Sequence, residues 1–146
     1  MSFVADMSKF CKDTGPDSLK TITRKILTEC ASRAIFASPV GDPSSWKNPG
    51  SAPAGYAGGA FRRNWQYKFG SFSREIVAGI DPSGSKSLSE ARSGIDAAQG
   101  RPGVHYISNS LPYAERIENG WSNQAPYGIV SRIELEFADI VRIAKG

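Results

Sequence analysis

Two long stretches of the chain repeat apolar residues at steps of three and four, the period of a helix that packs against a core. The first covers about residues 17–36, and Asp17 at its start suits the N-cap position. The second covers about residues 128–144, where charged residues occupy the opposite face. The two stripes consist of Leu19, Ile22, Ile26, Cys30 and Ala34, and of Ile129, Ile133, Phe137, Ile140, Val141 and Ala144. The pattern predicts two long amphipathic helices.

A period of two, typical of a β-strand, runs from Phe61 to Phe69. One parity consists of Phe61, Arg63, Trp65, Tyr67 and Phe69, and the other of Arg62, Asn64, Gln66 and Lys68. Gly70 and Ser71 then fit a turn, and residues 74–80 predict a second, antiparallel strand. We therefore expect a β-hairpin with an aromatic core face.

Shorter elements follow before the second long helix. Residues 87–98 have apolar residues at helical spacing, with Ser87 and Glu90 placed as a capping box. Residues 104–109 predict a strand, and residues 112–120 predict one or two helical turns.

The predicted architecture is α+β, with a small, mainly antiparallel sheet packed by a long N-terminal and a long C-terminal helix. Residues 1–146 are expected to form a single domain. Residues 38–60 are rich in proline and glycine and predict an extended loop or arm. Trp46 and Tyr56 lie in this arm, and such aromatic residues suit docking against a neighbouring subunit or against their own domain.

Composition and charge narrow the range of functions. The apolar and charged fractions, 40% and 22%, are those of a globular protein. We see no apolar run of about 18 residues and no signal peptide, so we expect no membrane contact and assembly in the cytoplasm. Residues 1–75 carry 11 Lys/Arg against 6 Asp/Glu, and residues 76–146 carry 7 against 8. This asymmetry fits complementary subunit contacts as well as phosphate binding.

Residues that carry catalysis or bind metals are sparse in this sequence. Cys11 and Cys30 are the only cysteines and lack the clustered partners of a zinc site. His105 is the only histidine and lies inside a predicted strand, where a structural role is expected. No nucleophile motif accompanies it. We therefore expect no enzymatic activity, no metal and no cofactor, and we expect Cys30 to be buried on a helix face.

Nucleic-acid binding is the alternative that the net charge of +4 suggests. The best candidate is the segment around Arg62, Arg63 and Lys68, which is interleaved with Trp65 and Tyr67. Strand parity, however, already explains this pattern as an aromatic core face and a polar outer face. A small basic nucleic-acid-binding module therefore stays the second hypothesis.

Two sequence blocks resemble a known family. The first is a Pro-Val step followed by a glycine, a large apolar residue, an arginine and a small polar residue before an apolar strand start: Pro39, Val40, Gly59, Phe61, Arg62, Asn64 and Trp65. The second is Asn109, Leu111, Pro112, Tyr113, Ala114, Ile117, Glu118 and Gly120, followed by Gln124, Ala125 and Pro126. In this order, between two long helices, the blocks resemble the small tail-completion or neck (head-to-tail joining) proteins of long-tailed bacteriophages.

The second block also has local roles that follow from its residues alone. Asn109 is placed to cap the following turn, and Pro112 suits the first position of a helix. Tyr113 and Ile117 are four residues apart and are expected to bury together. Glu118 on the same turn is expected to accept a hydrogen bond or to pair with an arginine.

The resemblance implies a structural virion component in the tail or neck. Such a protein forms a homo-oligomeric ring, most simply a hexamer, between the head connector or stopper and the tail tube or tail terminator. DNA passes through the channel without sequence-specific binding. The residues expected at subunit contacts are Trp46, Tyr56, Arg62, Arg63, Tyr113, Glu118 and Trp121.

Overall fold

The computed structural model describes the ranges 2–6, 16–41, 58–120 and 124–146, together with residues 48, 50 and 122. In chain order the elements are β1 Ser2–Asp6, α1 Pro16–Ala37, α2 Ala60–Arg63, β2 Gln66–Phe69, α3 Ser85–Ala97, β3 Val104–Ser108, α4 Ala114–Glu118 and α5 Val130–Lys145. The fold is α+β, as predicted, with a long helix towards each end. The predicted positions of α1, β3, α4 and α5 agree with these bounds to within about two residues, the usual uncertainty of helix ends.

The sheet is antiparallel, with β3 in the centre and the strand order β1-β3-β2. Ile107 in β3 pairs with Phe3 on one side and with Tyr67 on the other. Helix α3 packs closely on β2, because a Cβ at Gly94 would lie 2.8 Å from the ring of Tyr67. Strand β1 was not predicted, since its sequence, SFVAD, shows no alternation of apolar and polar residues.

The core lies between the two long helices and the sheet. Ile26 and Leu27 of α1 are completely buried, and Ile133 and Ile140 of α5 are nearly so. Burial of one such side chain contributes about 1.5–3 kcal/mol to stability, so this interface is a main source of folding free energy. The burial of Leu19, Ile26, Cys30 and Ala34 confirms most of the predicted stripe of the first helix.

The strand predicted to begin at Phe61 begins at Gln66 instead. Residues 60–63 form the short helix α2. Aromatic residues four positions apart satisfy both a strand period and one turn of helix, so the sequence pattern did not separate the two. Phe61 lies in this helix and Trp65 follows its end, and their buried rings meet edge to face with centroids 6.0 Å apart.

The predicted hairpin is wrong, because β2 pairs with β3 and residues 74–80 form no strand. The segment does run antiparallel to the start of β2, but side chains hold it in place. The Asn64 amide binds both backbone groups of Val77, at 2.8 and 3.0 Å. Gln66 Nε2 donates to the carbonyl of Glu75 at 2.7 Å. Two side-chain amides thus stand where a backbone ladder was expected.

The predicted capping box at the start of α3 is also wrong. The helix starts at Ser85, and its first turn is capped from outside by Asp81, whose Oδ2 accepts the N–H of Ser87 at 2.8 Å. Glu90 pairs with Arg63 instead of reaching back along its own helix. A carboxylate in the preceding turn therefore replaces the local Ser-Glu pair.

Candidate functional site at the arm base

The two ends of the predicted 38–60 arm lie side by side. Gly58 approaches Val40 so closely that a Cβ on Gly58 would lie 2.2 Å from the carbonyl oxygen of Val40. Glycine is therefore required here, because any side chain would collide with backbone. We call residues 38–41 and 58–62 the arm base.

Arg62 connects the segments of the arm base through hydrogen bonds. Its guanidinium donates to the carbonyls of Ser38 at 3.0 Å, Pro82 at 2.8 Å and Phe36 at 3.3 Å. Phe36 and Ser38 flank the last residue of α1, so the cation also satisfies carbonyls at the negative end of the helix. One arginine thus joins the end of α1, the start of α2 and the loop before α3.

Trp65 fixes the same helix end from the core side. Its Nε1 donates to Ser38 Oγ at 2.7 Å, and this hydroxyl in turn donates to the carbonyl of Ala34 at 2.5 Å. Trp65 is 3% exposed, so this chain of hydrogen bonds lies away from solvent. Buried and fully paired polar groups of this kind hold a backbone in one position.

The second sequence block reaches the arm base through two amide side chains. Asn109 Nδ2 donates to the carbonyl of Phe61 at 2.8 Å, and Asn109 Oδ1 accepts the N–H of Leu111 at 3.2 Å. The second bond confirms the predicted capping role of Asn109. Gln124 Oε1 accepts the N–H of Val40 at 2.9 Å. Both blocks therefore meet in one hydrogen-bonded junction.

Glu118 caps the last helix. Its carboxylate accepts the backbone N–H groups of Ile129, Val130 and Ser131, each at 2.8 Å, and the Ser131 hydroxyl at 2.6 Å. Burial opposes ionisation, but these hydrogen bonds outweigh it and hold the pKa of Glu118 below its ordinary value. The predicted role as an acceptor is confirmed, and the donors belong to α5.

Arg63 also has an internal role. Its guanidinium forms two hydrogen bonds with the Glu90 carboxylate, at 2.8 and 3.3 Å, and the residue is only 8% exposed. The pair joins α2 to α3. The guanidinium of Arg63 is therefore largely inaccessible to another molecule.

The predicted contact residues have different places in the structure. Trp46, Tyr56 and Trp121 lie outside the described residues. Ile117 is buried, but Tyr113 is 41% exposed, with its ring 6.0 Å from that of Phe61, so the predicted joint burial of Tyr113 with Ile117 is incomplete. Their roles at subunit contacts stay predictions.

His105 is completely buried, with a partner on each ring nitrogen. Nε2 lies 3.0 Å from the carbonyl of Arg101 and Nδ1 lies 2.8 Å from the hydroxyl of Tyr67. A carbonyl only accepts, so Nε2 carries the proton and Nδ1 accepts from Tyr67. Burial lowers the pKa of His105, and burial raises the pKa of Tyr67 to about 12. The arrangement is a neutral structural pair.

Other reactive groups are few in the part of the chain that the structure describes. Cys30 is buried, as predicted, and burial raises the pKa of its thiol to about 12. The described residues contain no group of three or more potential metal ligands. None of the described helices combines the length and the apolar character that crossing a membrane requires.

Sequence reasoning missed three exposed apolar side chains beside the sheet. Phe72, Ile76 and Ile80 are 38%, 58% and 46% exposed. Their shared parity was visible in the sequence, but the predicted hairpin placed Ile76 and Ile80 in a paired strand. The structure leaves them on the surface.

The arm base is thus the one place among the described residues where both sequence blocks converge. No protein-family model, curated protein or solved structure matches the chain.

Proposed function

We propose that this protein is a structural subunit of a phage-like tail and forms a homo-oligomeric ring, a hexamer, at the junction of head and tail. The convergence of the two sequence blocks supports this proposal most directly. Val40 and Arg62 of the first block, and Asn109 and Gln124 of the second, all make hydrogen bonds at the arm base. The residues that resemble the tail-completion family therefore build the junction from which the arm leaves.

The role is mechanical. A rigid arm base sets the direction in which the arm leaves the core, and the arm then contacts a neighbouring subunit. Repetition of one such head-to-tail contact closes a ring around a channel. The ring joins the head connector or stopper to the tail tube or terminator, and DNA passes through it without sequence-specific binding.

The outer side of α5 provides further support for contacts between subunits. Leu135 is 87% exposed and Ile143 is 60% exposed on this helix. Single exposed apolar residues are common on monomers. Two on one helix, in addition to the three beside the sheet, favour a protein that buries surface by association.

The nucleic-acid hypothesis loses three of the five residues that suggested it, while Lys68 stays exposed. Arg62 binds three carbonyls, Arg63 pairs with Glu90, and Trp65 is buried. A nucleic-acid-binding module would bind duplex DNA at low salt, with an affinity that falls steeply as salt is raised. We expect no such salt-dependent binding.

The role of the arm is tested by sedimentation velocity of the double variant Trp46→Ala, Tyr56→Ala. We expect the variant to dissociate at concentrations where the wild-type ring persists, because aromatic anchors dominate such contacts. Tyr127→Ala is the matched control, since Tyr127 is 82% exposed and lies outside the arm. If the double variant assembled as the wild type does, the arm would not carry the contact.

A further inference from the structure

Residues 72–80, which we call the ribbon, turn alternate backbone groups towards the protein. The carbonyl of Ser73 accepts the hydroxyl of Ser110 at 2.9 Å, and that of Glu75 accepts from Gln66. Both backbone groups of Val77 bind Asn64. Successive residues of an extended chain point their N–H and C=O groups to opposite sides. Residues 74, 76 and 78 therefore point theirs away from the protein.

These outward backbone groups are unpaired within the described residues. No backbone hydrogen bond of the described chain involves Arg74, Ile76 or Ala78. Between the bends at residues 71 and 79, the residues of the ribbon form no helix or turn, and none of them has a positive φ. An open row of donors and acceptors of this kind is a template for a further strand.

Apolar side chains line this open row. Phe72, Ile76 and Ile80 share one parity and are all exposed. Arg74 lies among them, with its guanidinium 5.5 Å from the centroid of the Phe72 ring, and forms no ion pair with a described residue. A partner strand that fits the ribbon therefore carries apolar residues and one carboxylate.

The chain itself has a strand of this composition at the other side of its sheet. The N–H of Gly70 donates to the carbonyl of Val104, so residues 104, 106 and 108 of β3 turn their backbone groups towards β2. By alternation, residues 105 and 107 turn theirs towards β1, where they pair with Ala5 and Phe3. The backbone groups of residues 2, 4 and 6 in β1 consequently face outward.

Residues 2, 4 and 6 of β1 and residues 74, 76 and 78 of the ribbon thus each provide three outward backbone positions. We propose that β1 of one copy adds as an antiparallel strand to the ribbon of a second copy. In this register Asp6 lies opposite Arg74, Val4 opposite Ile76 and Ser2 opposite Ala78. Outward backbone groups then face each other at three consecutive positions, and an acidic position stands opposite a basic one. The contact joins different surfaces of two copies, so it propagates head to tail. A closed ring requires a contact of this kind, and this inference rests on the proposed ring.

The experiment is a charge reversal with rescue, read out as the dissociation constant of self-association by sedimentation equilibrium. Arg74→Asp and Asp6→Arg each place like charges opposite each other, and each is expected to raise this constant about tenfold or more. The double variant restores opposite charges and is expected to return to within about threefold of the wild type. Arg92→Asp, on the exposed side of α3, makes the same change of net charge as Arg74→Asp and is expected to have no effect.

Proline at position 76 tests the backbone part of the contact. Ile76→Pro removes an outward N–H that makes no bond within the described chain, so the fold is expected to persist while association weakens about tenfold or more. Ile76→Thr keeps both the N–H and the β-branch and is expected to weaken association less. Circular dichroism of both variants verifies that they fold.

The outcomes separate this inference from the proposed function. If the wild type assembles but neither charge reversal weakens it, strand addition is wrong and the ring proposal stands. If the single variants weaken assembly and the double variant does not recover, Asp6 and Arg74 are not partners. A wild type that stays monomeric at every concentration contradicts both.

Discussion

Glu118 Oε2 lies 2.8 Å from the backbone nitrogen of Val130, so a carboxylate from α4 caps the first turn of α5. The first N–H groups of a helix have no partner within the helix, and a negative charge there is favourable. Here the capping residue lies twelve positions before Val130. The cap therefore also fixes the angle between the second sequence block and the last helix.

Removal of this cap is expected to destabilise the protein. Glu118→Ala leaves three N–H groups without their acceptor and is predicted to lower the free energy of unfolding by about 1–3 kcal/mol. Urea denaturation measures the change. Glu115→Ala, an exposed carboxylate on the same helix, is the control and is expected to change stability by less than about 0.5 kcal/mol. Equal effects of the two substitutions would show that the cap contributes nothing.

The stability of the protein is expected to fall as the pH is lowered. Burial lowers the pKa of His105, which the positive charge of Arg101 also lowers, although a hydrogen bond to the Arg101 carbonyl acts in the opposite direction. The unfolded chain therefore binds a proton at a higher pH, near its ordinary pKa of about 6.5, than the folded protein does. The contribution of His105 to stability is therefore fully present above that pH and is lost as the pH falls through the folded value.

Two carboxylates also make the protein less stable as the pH is lowered, but in a more acidic range. Burial opposes ionisation of Asp81 and Glu118, but hydrogen bonds lower the pKa of both. Their contribution is present above the unfolded pKa of about 4 and is lost as the pH falls through the folded value. Urea denaturation from pH 7 to 5 isolates the histidine, and His105→Gln is expected to flatten the pH dependence in this window. An unchanged slope would contradict the assignment to His105.

Arg62 is expected to be hard to replace. Arg62→Met removes three hydrogen bonds to carbonyls and is predicted to cost about 1–3 kcal/mol, and Arg62→Lys should recover only part of this, because an ammonium lacks the planar fork of five donors. Thermal unfolding reads out both changes. Lys68→Met removes an exposed cation nearby and serves as the control. If Lys68→Met lowered the melting temperature as much as Arg62→Met, the three hydrogen bonds of Arg62 would not contribute to stability beyond the loss of a positive charge.

The sequence predicted those parts of the fold that depend on a long period. The stripes of α1 and α5 cover four or more turns, so both helices were evident from residues such as Ile26 and Ile140. Phe61 and Trp65 were misread because their spacing fits both a strand and a helical turn. The prediction of a second strand at residues 74–80 was wrong because side-chain hydrogen bonds from Asn64 and Gln66 replace a backbone ladder there. The periodicity of the sequence does not reveal such bonds.

The candidate site was predictable only in part. The sequence blocks singled out Arg62 and Glu118, and Glu118 was expected to accept a hydrogen bond. Their partners lie in other elements, because Pro82 and Val130 come close only after folding. The close approach of Gly58 to Val40 likewise depends on backbone geometry that the composition of the arm does not encode.

The central claim is that the chain assembles into a closed ring of identical copies. Native mass spectrometry of the purified protein tests it most directly, because it counts the copies in each assembly. We predict one dominant species at six times the chain mass of 15.7 kDa, without a ladder of larger multiples. A spectrum that contains only the monomer at all accessible concentrations would contradict the claim.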